Sequence, residues 1–162
     1  MKICGIVGLK NSGKTFLINK IIKLLVEKHF KVASIKHAHH NFDIDKEGTD
    51  SYMHRESGSS QIIISSSKRW AKIIELDQKK EKTLNELIEE LDKPDIVIVE
   101  GFKNEDHPKM EIIKDNVQQS EYLFPKLKNV IGIISNRKIH TSINHFKTNE
   151  IDKITEYIIS QK

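Results

Sequence analysis

Eight consecutive residues, Gly8-Leu9-Lys10-Asn11-Ser12-Gly13-Lys14-Thr15, carry the most specific chemistry in this chain. Two glycines, a lysine and a hydroxyl residue stand at the spacing G-x-x-x-x-G-K-[ST]. This is the P-loop pattern, which cradles the phosphates of a nucleoside triphosphate. The glycines permit a tight loop with backbone N–H groups turned inward, and the helix start that follows adds positive partial charge. Lys14 is then placed for the β- and γ-phosphates, and the Thr15 hydroxyl for a Mg²⁺ ion. The expected nucleotide-binding residues are therefore Gly8, Asn11, Ser12, Gly13, Lys14 and Thr15.

A metal held between phosphates also needs a carboxylate. Glu100 closes the run Ile96-Val97-Ile98-Val99, and Gly101 lets the backbone turn close to the phosphates. Asp95 opens the same strand and lies about 17 Å away by strand rise, at the wrong end of a sheet. Glu100 and Thr15 are thus the expected metal residues, and Glu100 joins Lys14 as catalytic. Phe102 and Lys103 are expected to line the rim. A second dense region supplies Asp43, Asp45 and Asp50 as acids for metal or attacking water, with Asp45 taken as the second catalytic acid. Its Arg55 carries a planar fork suited to phosphate oxygens. His37, His39 and His40 are close-set, but no cysteine pair or second ligand cluster accompanies them beyond His54 and His107. Solvated or phosphate-facing histidines are expected rather than structural zinc.

These residues need a frame. Residues 3–7 read as a strand feeding the loop, and 16–28 as a helix with Leu17, Ile18, Ile21, Ile22 and Leu25 at helical spacing. Strands are expected at 31–36, 62–65 and 70–76, the last two joined by the polar turn 66–69. Residues 83–91 form a short helix with Thr83 and Glu86 at capping-box positions, stopped by Pro94. The continuous β-branched run at 95–100 indicates burial on both faces, as in a parallel sheet. Further strands are expected at 111–114 and 130–135, and a closing helix at 149–160. Alternating strands and helices around a P-loop imply an α/β, doubly wound, mostly parallel sheet with helices on both faces and ligand at the carboxyl ends of the strands. One nucleotide-binding domain over 1–162 is the expected organisation.

Composition narrows the class. The chain has 162 residues, of which 37% are hydrophobic and 31% charged, the balance of a soluble domain with one core. No apolar run approaches the ~20 residues that span a bilayer, and the N-terminus enters a strand directly, unlike a signal peptide. Cys4 is the single cysteine, which fits a reducing cytoplasm, and its place in the first strand predicts a small buried side chain. The net charge of +4 comes from scattered lysines without a nucleic-acid motif. It implies a surface attractive to anions, with neither nucleic acid nor membrane as partner.

Beyond the P-loop, Lys36-His37-x-His39-His40, Phe42-Asp43-Ile44-Asp45, Gly48-x-Asp50-Ser51, Arg55-x-x-Gly58 and Glu100-Gly101-Phe102-Lys103 occur in this order. Together they resemble the molybdopterin-guanine dinucleotide biosynthesis adaptor family, MobB, across residues 3–103. The resemblance implies GTP with Mg²⁺, weak hydrolysis, and a homodimer that assists the guanylyltransferase attaching GMP to molybdenum-bound molybdopterin. Phe16 stands where many relatives have Thr or a small residue, and no Asn-Lys-x-Asp guanine motif is present. Ser135-Asn136-Arg137-Lys138 occupies the place of such a reader, so guanine follows from the resemblance alone. The alternatives are a small-molecule P-loop kinase, for which no compact Arg-rich lid is visible, and a nucleic-acid-stimulated ATPase, for which only the basic charge speaks. Trp70 is expected to serve packing rather than base stacking. The 62–76 hairpin, read as a sheet edge, is expected in or near a dimer interface.

Overall fold

The structure is a computed structural model that describes residues 1–38, 42–76 and 80–161. These fall into two compact units, the first made of residues 1–37 and 84–162 and the second of residues 38–83.

The first unit is built on β1 (Lys2–Val7), β2 (Val32–Lys36), β5 (Ile96–Glu100), β6 (Lys109–Ile112), β7 (Val130–Ile134) and β8 (Asn144–Phe146). They form one six-stranded sheet in the order β2-β5-β1-β6-β7-β8, and every pairing in it is parallel. Period-two alternation divides the apolar side chains between two faces. Cys4, Ile6, Ile96, Ile98, Met110, Ile112 and Ile134 pack with α1 (Lys14–Glu27) and α4 (Ile151–Ser160). On the opposite face, Val97 and Val99 meet Leu84, Leu87 and Ile88 of α3 (Leu84–Glu89), with Ile35 of β2 alongside. Over β6 and β7, that second face is covered by irregular chain, with Ile133 packed on Ile113, Tyr122 and Ile139. Each aliphatic side chain buried this completely contributes about 1.5–3 kcal/mol of transfer free energy. The doubly wound parallel sheet expected from the sequence is the one observed.

Several local expectations need correcting. The strand expected at 111–114 is Lys109–Ile112, shifted toward the N-terminus because Lys109 pairs with Val130. Lys109 is wholly buried, its ammonium donating to the carbonyls of Glu105, His107 and Lys128, so a charged residue lies inside a strand that its character argued against. Phe102, expected on the rim, is buried and stacks on His37 with ring centroids 4.6 Å apart. His107, for which the sequence carried no expectation, is only 4% exposed. Its ring fills the space over Gly5, where a Cβ would come within 2.4 Å of Nε2. Cys4 is buried as expected, and burial pushes its thiol up to about 12, Lys109 opposing.

The second unit holds α2 (Asp50–Glu56) and an antiparallel hairpin, β3 (Gln61–Ser65) with β4 (Trp70–Ile74). The hairpin is a separate two-stranded sheet, not an edge of the six-stranded one, and β4 ends at Ile74 rather than residue 76. Trp70, expected to pack, is 69% exposed. Trp70, Ile63 and Ile74 share one face of this two-stranded sheet, and all three are exposed.

Candidate functional site

Parallel pairing decides what meets at the carboxyl edge of the sheet. In register, Ile6 of β1 lies opposite Glu100 of β5, and Glu100 opposite Lys36 of β2. The ends of β1, β5 and β2 therefore deliver the P-loop, a carboxylate and a second lysine side by side. Asp95 sits at the other end of β5, where its carboxylate accepts the Lys31 backbone N–H at 2.7 Å.

The loop after β1 has the conformation that phosphate binding requires. Asn11 and Gly13 are left-handed, with φ of 59° and 91°, a geometry that turns successive N–H groups to one side. Gly8 has no room for a side chain, since a Cβ there would approach the Ile112 carbonyl oxygen to 2.6 Å. Gly13 is the N-cap of α1, so the helix dipole points into the loop. Ser12 is buried and its N–H closes the turn onto the Leu9 carbonyl. Lys14 Nζ donates to the carbonyls of Gly8 at 3.0 Å and Leu9 at 2.7 Å. Partial burial draws its ammonium below the ordinary lysine range; Glu100 opposes that shift and Lys36 adds to it.

Thr15 Oγ1 donates to Glu100 Oε1 at 3.3 Å, and Lys36 Nζ lies 3.7 Å from Glu100 Oε2. A threonine hydroxyl and a carboxylate converging beside a phosphate loop are hard oxygen donors, the chemistry that Mg²⁺ takes. The arrangement fits both the metal and the triphosphate expected from the sequence. Gly101 permits the turn that follows: its φ is +92°, and a Cβ would stand 2.7 Å from that of His37. Phe16, following Thr15, is 66% exposed, with Lys20 Nζ 4.5 Å from its ring centroid.

Gly8, Asn11, Ser12, Gly13, Lys14, Thr15, Glu100 and Gly101 are thus brought together in the first unit. Asp45 and Arg55 belong to a second constellation, within the other unit. Arg55 contacts Asp43 at 3.1 Å and Asp45 at 3.2 Å, with Glu56 and Glu75 nearby. The Asp45 side chain is 2% exposed, and its hydrogen bond is foremost in holding the guanidinium protonated. Asp50 is the first residue of α2. His39 and His40 lie outside the described residues; among the described residues, no group of three or more His, Cys, Asp or Glu is placed to hold a metal ion.

Two features escaped sequence reasoning. Lys36 was read as the end of the second strand, at the phosphate edge, but its contact with Glu100 was not anticipated. The loops after β6, β7 and β8 are also cross-braced. Arg137 donates to the carbonyls of Asp115 and Val117, and Asn136 Oδ1 accepts from Thr148 N and Oγ1. The Arg137 guanidinium is accordingly a brace between loops.

This sheet order, with a phosphate loop between the first strand and α1, is the α/β fold of P-loop nucleoside triphosphate-binding proteins. The family model for molybdopterin guanine dinucleotide synthesis protein B matches residues 3–136. The molybdopterin-guanine dinucleotide biosynthesis adapter protein of Haemophilus influenzae is 36% identical, covering 96% of this chain and 86% of the relative. Its Escherichia coli counterpart is 31% identical, over 91% and 86% of the two chains. The crystal structure of Bacillus subtilis MobB superposes with a TM-score of 0.77 at 24% identity, covering 99% of this chain and 97% of that one. This chain belongs to the MobB family.

Proposed function

We propose that the chain binds GTP with Mg²⁺ at the P-loop, hydrolyses it slowly, and serves as an adaptor to the guanylyltransferase of molybdopterin guanine dinucleotide biosynthesis. The relatives' names, molybdopterin-guanine dinucleotide biosynthesis adapter proteins, support the pathway and the adaptor role. The single observation that carries the chemistry is the convergence of Thr15 Oγ1 and Glu100 Oε1, 3.3 Å apart, at the start of α1 beside Lys14.

In this reading the inward N–H groups from Gly8 to Thr15 hold the β-phosphate, and Lys14 exchanges its carbonyl partners for β- and γ-phosphate oxygens. Such charge-assisted hydrogen bonds are roughly twice as strong as neutral ones. Thr15 and Glu100 hold Mg²⁺ or its water shell. When bound, the ion neutralises charge developing on the terminal phosphate and orients water for attack. Asp45 and Arg55 act as a pair within their own unit, the acid fixing the guanidinium fork at 3.2 Å. Nothing in this machinery implies fast turnover, which suits an adaptor whose nucleotide state is read by a partner.

A homodimer formed through the β3–β4 hairpin completes the proposal, acting in the cytoplasm. The exposure of Ile63, at 67%, and Trp70, at 69%, on one face of a two-stranded sheet supports it, since such a face and its unpaired edges favour pairing with another copy. Among the described residues, no helix is long and apolar enough to cross a membrane.

The test of base choice is thermal stabilisation by GTP and ATP at matched concentrations with Mg²⁺. GTP is expected to raise the midpoint further. Equal shifts would favour a kinase or an ATPase instead.

A further inference from the structure

Lys36 is a charged group at the carboxyl edge, beside Glu100, to which the machinery above gives no work. It ends β2, two strands from β1, and lies opposite Glu100 in register. Its ammonium is 3.7 Å from Glu100 Oε2, on the side of the carboxylate that Thr15 does not use. The Glu100 side chain is 16% exposed whereas that of Lys36 is 63% exposed, so the lysine reaches in from solvent toward a fixed acid. The acid thus bridges two groups, a hydroxyl on one oxygen and an ammonium on the other.

That arrangement changes when a divalent cation binds. If Thr15 and Glu100 hold Mg²⁺, the ion takes over neutralisation of the carboxylate, and a Lys36 ammonium left against it would face a concentrated positive charge. The lysine, 63% exposed, is then released to pair with another anion. Its stem is long and flexible, and the nearest anion in a bound triphosphate is the terminal phosphate, which the P-loop holds next to the metal.

We propose that Lys36 reads the γ-phosphate: the ammonium that lies against Glu100 in the structure transfers to a terminal phosphate oxygen when Mg²⁺ and a nucleoside triphosphate bind. The nucleoside diphosphate offers no such partner. Lys36 therefore contributes to the preference for triphosphate over diphosphate, separately from Lys14, which contacts both. Its position at the end of β2, two residues before residue 38 where the second unit begins, gives the chain a short covalent route from phosphate state to that unit. The inference rests on the Mg²⁺–nucleotide reading of the P-loop.

The experiment is calorimetric titration of the full chain with GTP and with GDP, both with Mg²⁺, on the parent, Lys36→Gln, Lys36→Arg and Lys14→Ala. Losing one charge-assisted contact at a solvent-facing position is expected to weaken GTP about tenfold in Lys36→Gln, with GDP changed by less than about twofold. Lys36→Arg keeps the charge and should restore most of the GTP-to-GDP ratio. An equal change for both nucleotides, or none for either, overturns the role of Lys36 while leaving the P-loop reading intact. A parent that binds neither, or Lys14→Ala binding both as the parent does, overturns the site reading and this inference with it.

Discussion

Lowering the pH from 8 to 5 should cost this protein about 2 kcal/mol through one side chain, His107. The imidazole is 4% exposed, and among the described residues neither Nδ1 nor Nε2 has a hydrogen-bond partner. Burial, and then the nearby Lys109 ammonium, lower its pKa from 6.5 to about 4, with Asp106 opposing. The folded state thus favours the neutral ring, whereas the unfolded chain protonates at its ordinary value. The stabilisation is complete above pH 6.5 and is lost as pH falls toward 4. One pKa unit corresponds to 1.36 kcal/mol, so the full loss is about 3 kcal/mol, and about 2 kcal/mol of it is gone by pH 5. The assay is urea denaturation of the parent and His107→Leu at several pH values between 8 and 5. Urea is uncharged and leaves the electrostatics unscreened. The leucine fits an apolar site and cannot titrate, so the parent should lose about 2 kcal/mol more than the variant, near 1 M in midpoint. Parallel profiles would refute the reasoning, because they would mean that the ring is hydrated or already charged in the native protein.

Other outcomes follow from the same geometry. Glu100→Gln is nearly isosteric but uncharged, and should lower GTP hydrolysis far more than GTP affinity; unchanged phosphate release would move the role to Asp43 or Asp45. Gly101→Ala should cost about 1–3 kcal/mol, because its φ of +92° and the 2.7 Å approach to His37 Cβ both penalise a side chain; a melting temperature within a degree of the parent's would contradict this. Light scattering should return about twice the 18.8 kDa of one chain. Trp70→Lys should shift that toward the monomer, and a parent that stays monomeric at tens of micromolar with GTP present would remove the dimer.

Legibility in the sequence followed burial on both faces. The run Ile96-Val97-Ile98-Val99 reads as a central strand because its four residues are completely buried, and Cys4 to Val7 for a similar reason. α1 and α4 announce themselves through one apolar stripe each. The P-loop was legible because its chemistry fixes residue types at fixed spacing, and parallel topology then placed Glu100 at its side. What failed lacks such a signature. No residue of α2 is buried, so no stripe marks it. β8 is three residues long and carries a histidine and an asparagine, too short for a period to show. β6 was misplaced by two residues because its first member, Lys109, satisfies its charge with backbone carbonyls that no local pattern foretells. His107 had one clue: Gly5, a residue without a side chain in the middle of a β-branched strand, marks a close approach from another part of the chain.

The central claim is that Lys14 and its loop hold the phosphates of a guanine nucleotide. Its most direct test is isothermal calorimetry of GTP with Mg²⁺ on the parent and on Lys14→Ala. Charged hydrogen bonds contribute ~1.5–3 kcal/mol each, so losing one or two should weaken binding at least about tenfold while the unfolding transition stays cooperative. A Lys14→Ala protein that binds GTP as tightly as the parent would contradict the account.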